Sequence, residues 1–292
     1  MKKRILSMFI VLALIGSLTV TSFAETQIEA EPIVTDEISV AETVEADKIK
    51  VSIYAEIKDF TNEAQFIDGI YYVPLREMCN FVGATCSWDK ATGNTVVTSV
   101  DGTYNVNFVL DSSIAEARDR FVPMDGYTKM IGNSMYVPAR GFAKLMGLSY
   151  WIDEAYSKIL FSHGEPLKRA DEFYNAEDLK WLSRIIHAEA RGESFSGKLA
   201  VGNVVLNRVA SPKFPNTVYK VVFAAGQFTP ARTGAIYNTP GKDSVKAAKL
   251  ALEGYNIVPG SVYFVNEKKS TSNWFRRSCV LVSVIGNHTF YR

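Results

Sequence analysis

Five residues, Tyr72-Val73-Pro74-Leu75-Arg76, return 64 positions later as Tyr136-Val137-Pro138-Ala139-Arg140. At the same offset Gly83 meets Gly147, Asp89 meets Asp153 and Ala91 meets Ala155. A chain that repeats a pattern at fixed spacing builds the same local unit twice. Each unit reads alike. An aromatic and β-branched strand ends at Val-Pro, and a short amphipathic helix runs to a glycine that stops it. A strand with Trp then leads to Asp and a turn, and a last β-rich run closes the unit at Thr95-Val96-Val97 or Ile159-Leu160-Phe161. Alternation in Val51-Ser52-Ile53-Tyr54 and in Tyr104-Asn105-Val106-Asn107-Phe108 predicts a strand ahead of each copy. Two copies are too few for an open solenoid, so one compact α/β domain with internal pseudo-symmetry is expected over residues 49–162.

The flanks set where such a chain works. Met1-Lys2-Lys3-Arg4 is a basic start, Ile5 to Val20 is apolar, and Ser22-Phe23-Ala24 brings small residues to a cleavage point. This is the pattern of a secretory signal peptide over residues 1–24, cut after Ala24. The apolar run is shorter than the ~20 residues that span a bilayer, and no integral membrane segment is expected after cleavage. Residues 25–48 hold eight acidic residues, one Lys and no aromatic residue, the composition of a flexible acidic linker. The net charge of +1 averages two unlike halves. Residues 1–164 carry 14 Lys and Arg against 21 Asp and Glu, a balance of −7, whereas residues 165–292 carry 18 against 10, a balance of +8. A basic C-terminal half suits an anionic polymer, because a positive surface raises its local concentration. Export argues against nucleic acid as that polymer. Of three cysteines, Cys79 and Cys86 lie close in sequence and Cys279 is distant; a local disulfide and reduced half-buried thiols both fit this count.

After a short polar connection over residues 163–173, a third region runs through residues 174–292. Asn175 is a good N-cap. Leu179, Leu182, Ile185 and Ile186 mark one face of the helix that follows, and the next position on that face is Glu189. A carboxylate on the buried side has its charged form disfavoured and its pKa raised. A general acid working near neutral pH needs that property. A buried Glu paired with Arg184 or Arg191 for structural reasons fits the same pattern. Glu193 follows four residues on and would share the face if the helix continued, but Gly192 interrupts it. A second helix, about Phe195 to Arg208, packs Ala200, Val201, Val204, Val205 and Val209.

Two resemblances sharpen these readings. The doubled V-P-(L/A)-R, helix, Gly and Asp pattern over residues 49–162 resembles the module named for the N-terminal domain of copper amine oxidases. That resemblance implies a wall-associated or targeting domain, not an oxidase. Its stretch has no His before His163, so no imidazole cluster for copper is present. Glu189-Ala190-Arg191-Gly192-Glu193 resembles the E-A-R-G-E signature of the cell-wall hydrolase family typified by the spore cortex-lytic enzyme SleB. The likeness continues through Gly197, Val204-Val205-Leu206-Asn207-Arg208-Val209, Phe214-Pro215-Asn216-Thr217-Val218, Gln227-Phe228, Tyr263-Phe264-Val265-Asn266, Trp274 and Ile285-Gly286-Asn287-His288. It implies a lysozyme-like α+β domain with Glu189 as catalytic acid/base. The implied substrate is peptidoglycan, of the vegetative wall or of spore cortex, and the implied protein is secreted and cell-wall associated.

Counting carboxylates frames the mechanism. Most glycosidases use two, whereas a lytic transglycosylase, which closes a 1,6-anhydro ring on N-acetylmuramic acid, needs one. Glu189 alone stands out, so transglycosylation is expected, with hydrolysis through Glu193 as the alternative. Gln227, Tyr263, Asn266 and Trp274 are candidates for binding sugar together with Glu193, with Tyr263 and Asn266 placed on a strand. His187 and His288 are read as structural. Neither a metal nor another cofactor is expected: with only His163, His187 and His288 the chain offers no zinc-amidase ligand set. Cys279 and His288, the one Cys–His pair of the region, do not make a cysteine peptidase. A non-catalytic wall-binding protein is the alternative from another class.

Overall fold

The computed structural model describes residues 48–270 and 273–292; the leader and residues 25–47 of the acidic stretch lie outside the described residues. The N-terminal domain opens with β1 (Lys50–Ile53), β2 (Glu56–Lys58), β3 (Gln65–Ile67) and β4 (Ile70–Pro74). Helix α1 (Leu75–Val82), β5 (Thr85–Asp89) and β6 (Asn94–Thr98) complete the first copy of the repeat. Then come β7 (Asn105–Phe108), β8 (Ile114–Ala117) and β9 (Arg120–Pro123). The second copy runs β10 (Lys129–Ile131), β11 (Ser134–Pro138), α2 (Ala139–Met146), β12 (Leu148–Asp153) and β13 (Lys158–His163).

The repeated strands pair with each other. β4 and β11 run antiparallel with Val73 opposite Val137, so the two copies of the motif meet at their own equivalent residue. Each helix starts directly after the proline, whose missing N–H costs nothing at a helix start. Each stops at its glycine, Gly83 or Gly147, in the left-handed conformation. Leu75, Met78, Phe142, Leu145, Ile159 and Phe161 are buried in one core drawn from both copies. The strands ahead of the copies differ in use. β1 lies parallel to β13 and closes the domain across its ends. β7 instead joins β5, β6, β8 and β9 in a five-stranded sheet. Cys79 and Cys86 are free thiols in hydrogen-bond contact, the first buried.

The C-terminal region is helical before it is stranded. A short α3 (Ala170–Phe173) precedes α4 (Ala176–Ala190), α5 (Phe195–Ala210), α6 (Val218–Phe223), α7 (Thr229–Thr233) and α8 (Lys242–Leu252). Strand β14 (Tyr263–Val265), α9 (Trp274–Ser278), β15 (Leu281–Ile285) and β16 (His288–Tyr291) follow, the strands forming one sheet in the order β14-β16-β15. The Asn175 side chain accepts from the backbone N–H of Glu177 and Asp178 and caps α4. Leu182, Ile185 and Ile186 of α4 are buried against Val201 and Val205 of α5 and Ala247, Ala248 and Leu250 of α8. Among the described residues no helix is long and apolar enough to cross a membrane.

The two regions are joined by more than chain. Arg120 of β9 reaches Glu253, just past α8, through Nε at 2.7 Å and Nη2 at 2.9 Å. The side chains of this pair are 2% and 0% exposed. Tyr174 donates its hydroxyl to the same carboxylate at 2.8 Å, and Lys144 stands 3.6 Å from it. The Arg120 guanidinium also lies 3.5 Å over the Phe173 ring. Lys249 donates to the Asp119 carbonyl at 2.7 Å, and Ile114 and Phe121 pack onto the helical core.

Candidate active site

Glu189 occupies the last turn of α4, one residue before the helix ends at Ala190. The apolar face of α4 faces the core, so the carboxyl is half-buried, and burial pushes its pKa above the ordinary carboxylate value. The positive charge of Arg208 works in the opposite direction and moderates the shift.

Arg208 is the residue the sequence reading passed over. It sits near the end of α5 and is 5% exposed. Its Nε donates to the Val262 carbonyl at 2.7 Å. Its guanidinium lies 5.2 Å from the Phe214 ring, 5.0 Å from Phe228 and 6.0 Å from Tyr263. Its Nη1 is buried without a hydrogen-bond partner. Buried donors are rarely left unpaired, so an orphan beside a titratable acid marks a place where a ligand oxygen would be welcome. The sequence signal was a single Arg in the packed stretch from Ala200 to Val209.

The anticipated residues divide. Tyr263, on β14, packs edge-on against Trp274 at 5.9 Å and lies near Phe214, so these rings share one neighbourhood with Arg208 and Glu189. Trp274, the first residue of α9, keeps half of its surface in solvent. Gln227 is exposed, one residue before Phe228 in the loop between α6 and α7. Asn266 corrects the expectation of a strand position. β14 ends at Val265, because the Asn266 carbonyl accepts from the backbone N–H of Lys269 and Ser270 at 3.0 Å each and begins a turn. Its side-chain oxygen is buried without a partner.

Glu193 lies beyond α4 and its carboxylate is engaged elsewhere. It accepts from the Asn287 backbone N–H at 3.1 Å and from Asn287 Nδ2 at 3.0 Å. These bonds hold its pKa below the ordinary value, keeping it ionised. The turn it caps needs Gly286, whose φ is +60° and where a Cβ would overlap the Glu193 carboxylate. His187 accepts from the Gly241 N–H at 3.3 Å, and His288 packs its ring against Phe264 at 5.1 Å, with burial lowering its pKa.

Similarity to known proteins follows the two regions. Residues 192–291 match the family described as Cell Wall Hydrolase. Residues 52–161 match the copper amine oxidase N-terminal domain. The donors present do not fit copper: residues 52–161 contain no His, and no group of three His, Cys, Asp or Glu gathers among the described residues. The chain is 36% identical over 117 residues to the spore cortex-lytic enzyme of Bacillus cereus, covering 40% of this chain and 45% of that protein. It is 37% identical over 117 residues to the spore cortex-lytic enzyme of Halalkalibacterium halodurans, covering 35% of that protein. The chain thus spans less than half the length of these relatives. A solved catalytic domain of the germination-specific lytic transglycosylase SleB from Bacillus anthracis is 35% identical, with 97% of that domain and 41% of this chain covered and a TM-score of 0.39.

Proposed function

We infer, from a chain whose C-terminal domain belongs to the cell wall hydrolase family and whose preceding domain is copper amine oxidase N-terminal-like, that this protein degrades peptidoglycan by cutting its glycan strand. Support for the substrate comes from the cortex-lytic relatives. The observation that carries the chemistry is Glu189, a half-buried carboxyl whose pKa burial raises, beside a buried guanidinium and a wall of aromatic rings. We read the domains as residues 49–162 and 174–292, the first pseudo-symmetric about the paired Val-Pro strands and the second lysozyme-like. Secretion after cleavage of residues 1–24 and a wall-associated location complete the proposal.

One carboxyl suffices for lytic transglycosylation. Glu189 gives its proton to the glycosidic oxygen as the bond to C1 of N-acetylmuramic acid breaks. The resulting carboxylate takes the proton of the sugar's C6 hydroxyl, and that oxygen bonds C1, closing the 1,6-anhydro ring. Atoms balance without water, and Glu189 regains its proton. The engagement of Glu193 by Asn287 supports a supporting role for that residue rather than a second catalytic one. Tyr263 and Trp274 would supply ring faces for sugar, and Gln227 and Asn266 would supply polar contacts. Arg208 Nη1 would donate to a substrate oxygen next to the acid.

The direct test is release of soluble fragments from purified sacculi and from cortex by the full chain. Glu189→Gln should lower the rate about 10²–10⁴-fold, the usual contribution of a positioned acid/base, with an unchanged circular dichroism spectrum. Equal rates for the two proteins would reject the assignment.

A further inference from the structure

The N-terminal domain carries a cavity of about 680 Å³, within the range of about 300–1,000 Å³ typical of ligand pockets. Helix α2 lends it Arg140 and Lys144, β12 lends Tyr150 and Trp151, and the connection to the helical domain lends Lys168 and Phe173. Two features set this cavity apart from an ordinary surface hollow. The first is exposed aromatic surface: Trp151 is 56% exposed and Phe173 41% exposed. A ring left in water at a cavity wall offers a flat apolar face on which the C–H face of a sugar can lie. The second is charge. Four cations line the cavity, with Glu165 as the one acidic residue among them. Arg120 is neutralised by Glu253, which also draws Lys144 at 3.6 Å. Arg140 stands 3.8 Å from Asp125 and 5.7 Å over the Tyr150 ring, and the Lys168 side chain is exposed. Set against Asp125, Glu165 and Glu253, the four cations leave a balance of +1.

We propose that this cavity is a second wall-polymer site, which takes an acidic saccharide with a sugar ring on Trp151 and its carboxylate or phosphate toward Arg140, Lys144 and Lys168. The inference rests on the reading of the chain as a peptidoglycan-degrading enzyme. It assigns the N-terminal domain a ligand class and a place to hold it. Because Arg120 lines the cavity and also locks onto Glu253, polymer held there is held by a body fixed to the catalytic domain.

The test is cosedimentation of the full-length Glu189→Gln protein with insoluble sacculi, native or stripped of teichoic acid, against the same protein carrying Trp151→Ala and Lys168→Glu together. Affinity should fall about tenfold or more in the altered protein, as for loss of an interface anchor. It should also weaken as salt rises, because exposed cations are screened. A matching thermal transition shows that the altered protein is folded, and Lys168→Glu alone gives an independent reading should the double change unfold it. Binding kept on stripped sacculi points to peptidoglycan carboxylates, and binding lost there points to teichoic phosphates; both support the site. Equal affinity of altered and unaltered proteins overturns it. Fragment release by the wild type is scored separately, so failure of the enzymatic reading would show as binding without release.

Discussion

In the proposed mechanism Glu189 and Arg208 set the chemistry between them, and each makes a prediction at the scale of a single side chain. Burial raises the Glu189 pKa and Arg208 restrains the rise. The protonated form is the working acid, so activity declines as pH climbs through the raised value. Arg208→Met removes the restraint, and the alkaline limb of kcat/KM should move to higher pH, whereas Arg208→Lys should leave it nearly in place. A pH–rate profile of the three proteins checks this. Stability follows pH in the same direction. A carboxyl whose folded pKa lies above its unfolded value loses stability as pH rises between the two. Glu189→Gln should therefore melt at or above the wild type at pH 7, with the difference shrinking in acid. The half-buried place of Glu189 near the end of α4 could be read from the sequence, because the helix has a clear apolar period that reaches it. Arg208 could not, because its importance comes from Phe214, Phe228 and Tyr263, which other elements bring to it.

At the scale of elements, the segment between α4 and α5 is tied to the turn between β15 and β16 by Glu193 and Asn287. Glu193→Ala removes two charge-assisted hydrogen bonds at a part-exposed site, and a loss of about 1–2 kcal/mol is expected in urea unfolding. Since the Glu193 pKa is depressed, its contribution is present above the ordinary carboxylate range and lost as pH falls through the depressed value. Gly286→Ala should destabilise the same turn, because φ is positive there and the new Cβ would press on the carboxylate. The sequence showed the two carboxylates four apart but not which one the fold would occupy. A hydrogen bond spanning 94 residues leaves no local trace. The end of β14 was hidden for a similar reason: Asn266 directly follows the aromatic and β-branched Tyr263-Phe264-Val265, and the turn to Lys269 and Ser270 begins there. Repeat strands and their helices were legible, since the Val-Pro and Gly signals act locally.

At the scale of the whole molecule, a buried ion pair is one of the contacts that join the two proposed domains. Glu253→Ala would leave Arg120 charged and unpaired in the interface, a cost of about 3–5 kcal/mol. Calorimetry of the wild type should show one main transition for both domains, and the variant should show two, the lower one shifted down. Nothing in the sequence singled out these residues, which are 133 apart and outside both motifs. The charge split along the chain was visible, but the place where the two signs meet depends on how β9 and α8 pack.

Mass spectrometry of the ends created in purified peptidoglycan asks the central question directly. Glu189 acting alone predicts 1,6-anhydro-muramic ends from the wild type, none from Glu189→Gln, and the same ends at a modestly reduced rate from Glu193→Gln. Reducing muramic ends, abolished by either substitution, would contradict single-carboxyl chemistry and make Glu193 the second catalytic group.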